Sequence, residues 1–169
     1  MTSEQDAINT AVDAVISAVR VGDTAGLYEA VMPPAGERTP PDEAAQWFAL
    51  LLIHVALAAS AACELERGCS REALSRWVED VLGPPLTPAL IRSADPARID
   101  HVAAATAAAD HARYVEYTVE LMRVGLSAPG DDVDPRIVEA HQAATNDKTA
   151  RINVIALLGR LAAVPSRQG

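Results

Sequence analysis

Seventeen residues, Trp47 to Cys63 (WFALLLIHVALAASAAC), are interrupted only by His54 and Ser60. A helix apolar on every side is not stable against water, so such a run either crosses a membrane or is buried in a core. A membrane span needs about 20 apolar residues rich in Leu, Ile, Phe and Val. Here the second half, Ala56 to Cys63, is almost all alanine, and His54 sits near the middle. Asp42 and Glu43 precede the run, and Glu64, Glu66 and Arg67 follow it, so basic anchoring is missing. The first residues (MTSEQDAINTAV) have neither the basic nor the apolar region of a signal peptide. The expectation is a buried core helix over about 42–66, in a cytoplasmic protein that does not engage a membrane.

A chain of 169 residues suits one domain, 1–169, with one sizeable core. Half of the residues are hydrophobic but only 4% are aromatic, and alanine supplies about a fifth of the chain. Alanine is the strongest intrinsic helix former, and β-branched or aromatic alternation is lacking. The expected fold is all-α: a single-domain helical bundle of two or three long helices and several short ones around the 42–66 helix.

The formal net charge is −9, and the fourteen basic residues are scattered. A phosphate backbone requires clustered Lys and Arg, so nucleic acid is not an expected partner. Only Lys148 is a lysine, against thirteen arginines, a bias that together with the alanine content suits a high-GC bacterial genome. Cys63 and Cys69 fit no zinc spacing, and a reduced setting is the default.

Helix boundaries are legible. Ser3 and Asp6 open a first helix with Ile8, Val12, Val15, Ile16 and Val19 on one face, ended by Gly22-Asp23. Thr24 to Met32 is a short helix, and the proline-rich 33–41 segment is a surface loop. Pro41, Asp42 and Glu43 suit the first turn of the apolar helix, and Gly68 suits the residue beyond its end. Ser70 caps a helix over 71–82 that buries Leu74, Trp77, Val78 and Val81. Thr87-Pro88 opens a single turn. Asp95-Pro96 opens the longest helix, about 96–126, with a stripe of Ala105, Ala108, Ala112, Val115, Val119, Met122 and Leu126. Asp134-Pro135 starts a last helical region to 163, which Asn146-Asp147 is placed to interrupt. A frayed tail over 164–169 is expected. The small-residue stretches Ala56–Cys63 and Ala103–Ala112 are expected to pack on each other or on their copies in a second subunit.

The chemistry-bearing residues are sparse. Asp100-His101 and Asp110-His111 share a helix but lie about 15 Å apart along it, too far for one metal shell. No Glu-x-x-His occurs, so a di-iron bundle lacks its ligands. Nucleophile and phosphate-loop signatures are lacking too. No catalytic residue, metal site or cofactor is assigned, which points away from an enzyme without excluding one. His54 reads first as a histidine bonded to a backbone carbonyl, and secondarily as a polar contact in a pocket. His111 and Tyr114 read as the edge of a helix interface or as pocket-lining groups. With His141 these form the candidate ligand-binding set. Arg113, Glu116, Glu120 and Arg123 have the spacing of a solvated face of weak ion pairs, or of a dimer rim.

The pattern of helices and proline-rich breaks singles out no family. The leading functional expectation is a small helical protein acting by protein–protein interaction: an adaptor, a regulatory subunit or a neutralising partner. It is expected to form a homodimer and to favour a basic protein partner. The alternative is a small-molecule-binding protein or enzyme with its pocket inside the bundle.

Overall fold

The computed structural model describes residues 3–63, 65–83, 101–127 and 133–164, with the side chains of 101–106 left out of account. Among the described residues there are seven α-helices and no strand, so the chain is all-α and compactly packed. The helices are α1 (Ser3–Val21), α2 (Thr24–Val31), α3 (Pro41–Ala62), α4 (Arg71–Leu82), α5 (His101–Leu126), α6 (Pro135–Asn146) and α7 (Lys148–Ala162). The Thr87-Pro88 turn, the Asp95-Pro96 start and the 165–169 tail fall outside the described residues.

Local chemistry accounts for most boundaries. Asp23 caps α2 by accepting from Gly26 N, and Ser70 caps α4 by accepting from Ala73 N. Asp134 caps α6 through Arg136 N. Asp147 does double duty: its N–H donates to Ala143 O at the end of α6, and its carboxylate accepts from Thr149 and Ala150 N at the start of α7. The last helical region is therefore two helices. The 33–41 loop contains a 3-10 turn at Gly36–Arg38, and Pro41 itself begins α3.

α3 packs against α1, α5, α6 and α7. It is the one helix among the described residues long and apolar enough to cross a membrane, with a mean hydropathy of 1.7. Leu51, Leu52, Val55 and Ala59 are fully buried, and Trp47 donates its indole N–H to Val31 O at 3.0 Å, tying α3 to the end of α2. Phe48 and Leu50 are only half-buried. The Arg151 guanidinium sits 3.7 Å over the Phe48 ring and donates to Thr145 O, which joins α3, α6 and α7. Burial lowers the Arg151 pKa, against the opposing pull of Asp147.

Four expectations are corrected. α3 stops at Ala62 instead of 66, because Cys63 turns extended and Gly68, at φ +78°, gives its N–H to Leu126 O. A tie to α5, not a helix cap, explains that glycine. On α4 only Leu74 and Val78 are buried, while Trp77 and Val81 are half-buried. On α5 the stripe holds for Val119, Met122 and Leu126, but Val115 and Ala108 are half-buried and Ala112 is exposed. The buried face there instead includes Tyr114, Thr118 and Leu121. Lastly, the expected packing of the tapering end of α3 is not seen for Ala107–Ala112, while the side chains of Ala103–Ala105 lie outside the described residues. Ser60 lies against Gly125 and Met122, one end of α5 away, while Ala107, Ala109 and Ala112 are exposed.

Candidate functional site

Between Ala107 and Tyr117, α5 is flanked by grooves. Tyr114 is buried and His111 half-buried, three residues apart on one flank. With Asp110, and with Thr149 and Asn153 of α7, they line a solvent-open groove of about 450 Å³. His111 also borders a smaller groove of about 130 Å³, formed with Val78 and Leu82 of α4 and Val115 of α5. A third groove, about 440 Å³, runs from Arg113 and Tyr117 to Glu139 and Gln142 of α6. Arg113 lies 5.3 Å from the Tyr114 ring centroid and 3.1 Å from Asp110. Its hydrogen bond to Tyr114 raises its pKa, with Asp110 adding to the effect.

Two of the four predicted ligand-binding residues thus come together, His111 and Tyr114. The other two lie elsewhere. His54 Nδ1 is 2.8 Å from Leu50 O on its own helix, and His141 Nε2 is 2.9 Å from Ala49 O. These two imidazoles engage successive carbonyls of α3, one from within the helix and one from α6. A hydrogen bond to a carbonyl makes each ring nitrogen so placed a donor. Among the described residues, no three His, Cys, Asp or Glu side chains gather as a ligand set.

The charged face of α5 departs most from the sequence reading. Glu120 is 2% exposed. Its carboxylate pairs with Arg71 of α4 and, at 2.6 Å, with Arg123. Arg123 reaches Asp134 at 3.0 Å, and Arg71 reaches Glu116 at 3.4 Å. One buried carboxylate therefore ties α4, α5 and the start of α6 together. Burial works against the Arg123 charge, but hydrogen bonds to Glu120 and Asp134 outweigh it and raise its pKa. Charge spacing along one helix carries no signal of this burial, because the partner lies 45 residues or more away on α4.

The outer face of α3 is the other unexpected surface. Leu50, Ile53, Leu57 and Ala61 follow three- and four-residue spacing, and none is buried. Leu57 is 41% exposed. On neighbouring α6, Val138 is 44% exposed one turn before His141.

Comparison with protein-family models, with curated proteins and with solved structures finds no match to this chain.

Proposed function

We propose that this is a cytoplasmic helical interaction protein that self-associates as a homodimer through the outer face of α3. The observation that carries the reading is the Leu50–Ile53–Leu57–Ala61 strip on the most apolar helix of the chain. Glu43 and Gln46 precede it in the same register, so the outward positions repeat three-four-three-four from residue 43 to 57. That repeat is the seam of paired helices, with apolar knobs entering the holes of a facing helix. The exposed alanines of α5 offer a second close-approach surface.

Sedimentation velocity tests the reading. The wild-type chain should dimerise, and Leu57→Glu should sediment as a monomer whose thermal stability lies within about 1 kcal/mol of wild type. A wild type that is monomeric at every concentration, or a Leu57→Glu chain that still dimerises, overturns it. Partition of the wild type onto phospholipid vesicles, lost in Leu57→Glu, would assign the same face to lipid instead.

A second reading rests on the meeting of His111 and Tyr114 in one groove: a small polar molecule binds there. Thermal-shift screening of a metabolite library should then give hits whose stabilisation disappears in His111→Ala with Tyr114→Phe. Hits unaffected by the two substitutions would remove this site from consideration.

A further inference from the structure

α4 runs antiparallel along α5: its first residue, Arg71, meets Glu116 and Glu120, while its last turn lies beside His111 and Ala112. Its start is pinned by the Glu120 carboxylate, and Leu74 and Val78 are its buried side chains. Alongside Val78 and Leu82 the crevice of about 130 Å³ opens between the two helices. Fully buried Val78 and half-buried Leu82 and Val115 give it apolar walls. His111 borders both this crevice and the larger groove beside α7. The bland account is a helix-edge histidine with its polar tip in water. Two observations go further. His111 is half-buried, yet among the described residues neither of its ring nitrogens is hydrogen-bonded, and neither is sealed from solvent. His54 and His141, by contrast, each bond a carbonyl of α3. The apolar walls beside this open imidazole also frame a volume close to that of cavities, about 150 Å³, that take up one benzene ring.

We propose that the α4–α5 crevice binds a small single-ring phenol, with the ring against Leu82 and Val115 and the hydroxyl hydrogen-bonded to His111. A neutral imidazole offers one donor and one acceptor, and a hydroxyl matches either of them whichever tautomer is present. Exposed Glu79 on the rim disfavours an anionic head at the same place, and no basic side chain lines the crevice among the described residues. Burial of the ring supplies the bulk of the affinity, and the single polar contact fixes the orientation. The proposal does not depend on the α3 seam, and it shares only His111 with the reading of the groove beside α7.

The test follows the His111 ring protons and the methyl groups of Val78, Leu82 and Val115 by two-dimensional NMR. The probe is p-cresol, compared with toluene, which keeps the ring and lacks the hydroxyl, and with 4-methylbenzoate, which carries a charge instead. p-Cresol should shift all four residues saturably and bind about fivefold more tightly than toluene, the worth of one neutral hydrogen bond. His111→Phe keeps an aromatic ring there and should bring p-cresol and toluene to equal affinity. Ala112→Leu fills the crevice from its exposed rim, at a helix position where the two residues have similar propensity, and should abolish binding with the fold intact. Asn153→Ala alters only the groove beside α7 and should change p-cresol binding by less than about twofold. No saturable shift with p-cresol, equal affinity for toluene in the wild type, tighter binding of 4-methylbenzoate, or undiminished binding by Ala112→Leu overturns the assignment. Loss in Asn153→Ala with binding kept in Ala112→Leu places the ligand beside α7, which overturns the crevice and supports the other groove. Leu57→Glu should abolish self-association and leave p-cresol binding unchanged, so the dimer and the crevice stand or fall separately.

Discussion

Ser60 of α3 and Gly125 of α5 are in such close approach that a Cβ on Gly125 would lie 2.6 Å from Ser60 Cβ. The Ser60 hydroxyl sits 2.7 Å from Met122 O and 2.9 Å from Ala56 O, so its one proton is shared between the two helices. The clash is with a Cβ, which cannot swing away, so Gly125→Ala must push α3 and α5 apart. Alanine would gain about 1 kcal/mol of helix propensity over glycine. Overpacking should outweigh that and destabilise the chain by about 1–3 kcal/mol net in urea unfolding. Gly159→Ala is the control. Its Cβ would meet Val19 Cγ2 at 3.0 Å and Val15 Cγ1 at 3.1 Å, terminal methyls that can yield by a few tenths of an ångström. Its change should stay within about 1 kcal/mol, because propensity offsets the crowding.

Glu120 should be the costliest charge to remove. Glu120→Ala leaves Arg71 and Arg123 facing one another without their shared carboxylate. Breaking a fully buried pair costs about 3–5 kcal/mol, but both arginines are about a third exposed or less and water relieves part of that. The expected loss is about 2 kcal/mol. Glu116 also pairs with Arg71, but its side chain is 63% exposed. Glu116→Gln should therefore cost under about 0.5 kcal/mol. Equal losses for the two would mean that burial is not what distinguishes them.

Those two carboxylates also mark how far the sequence could be read. Helix identity and most starts were legible because they depend on neighbours in the chain: Asp23, Ser70, Asp134 and Asp147 all cap within three residues. The buried face of α1 was legible from its spacing, with Ile8 and Val15 both inside. Periodicity names a face but not what covers it. Glu116 and Glu120 are both spaced as surface charges and both meet Arg71, yet the fold buries Glu120 and leaves Glu116 outside. The same limit explains α3. Its apolar run predicted burial on every side, yet the fold covers Leu51 and Leu52 and leaves Leu57 outside. Of the candidate binding residues, His111 and Tyr114 meet because they share a helix. The placement of His141 against Ala49, 92 residues away, has no local signal.

Asp147 is the hinge of the α6–α7 junction, and its side chain alone satisfies two N–H groups of α7, at 2.9 Å and 3.2 Å. Asp147→Ala should cost about 1–2 kcal/mol, whereas Asp147→Asn should cost little because asparagine caps about as well. Circular-dichroism melts of the three proteins measure this directly. A loss in Asp147→Asn as large as that in Asp147→Ala would assign the effect to charge, through Arg151 or the α7 dipole, instead of to the cap.

Asp134 gives the pH dependence its sign. Its carboxyl is held below the usual carboxylate range, first by the Arg136 backbone N–H and then by Arg123. A group whose folded pKa is depressed stabilises the fold above its unfolded value, about 3.9, and that contribution is lost as the pH falls through the folded value. Asp134→Asn keeps the α6 cap and removes only the charge. In urea unfolding the wild type should exceed Asp134→Asn in stability at neutral pH, and the gap should shrink progressively as the pH falls below the unfolded carboxyl value of about 3.9. High salt should narrow it at neutral pH, since the group is partly exposed and therefore screened. A gap that does not shrink at all as the pH falls below that value would show that Asp134 acts through its shape and hydrogen bonds alone, leaving the Arg123 pairing without a share in holding α6 to α5.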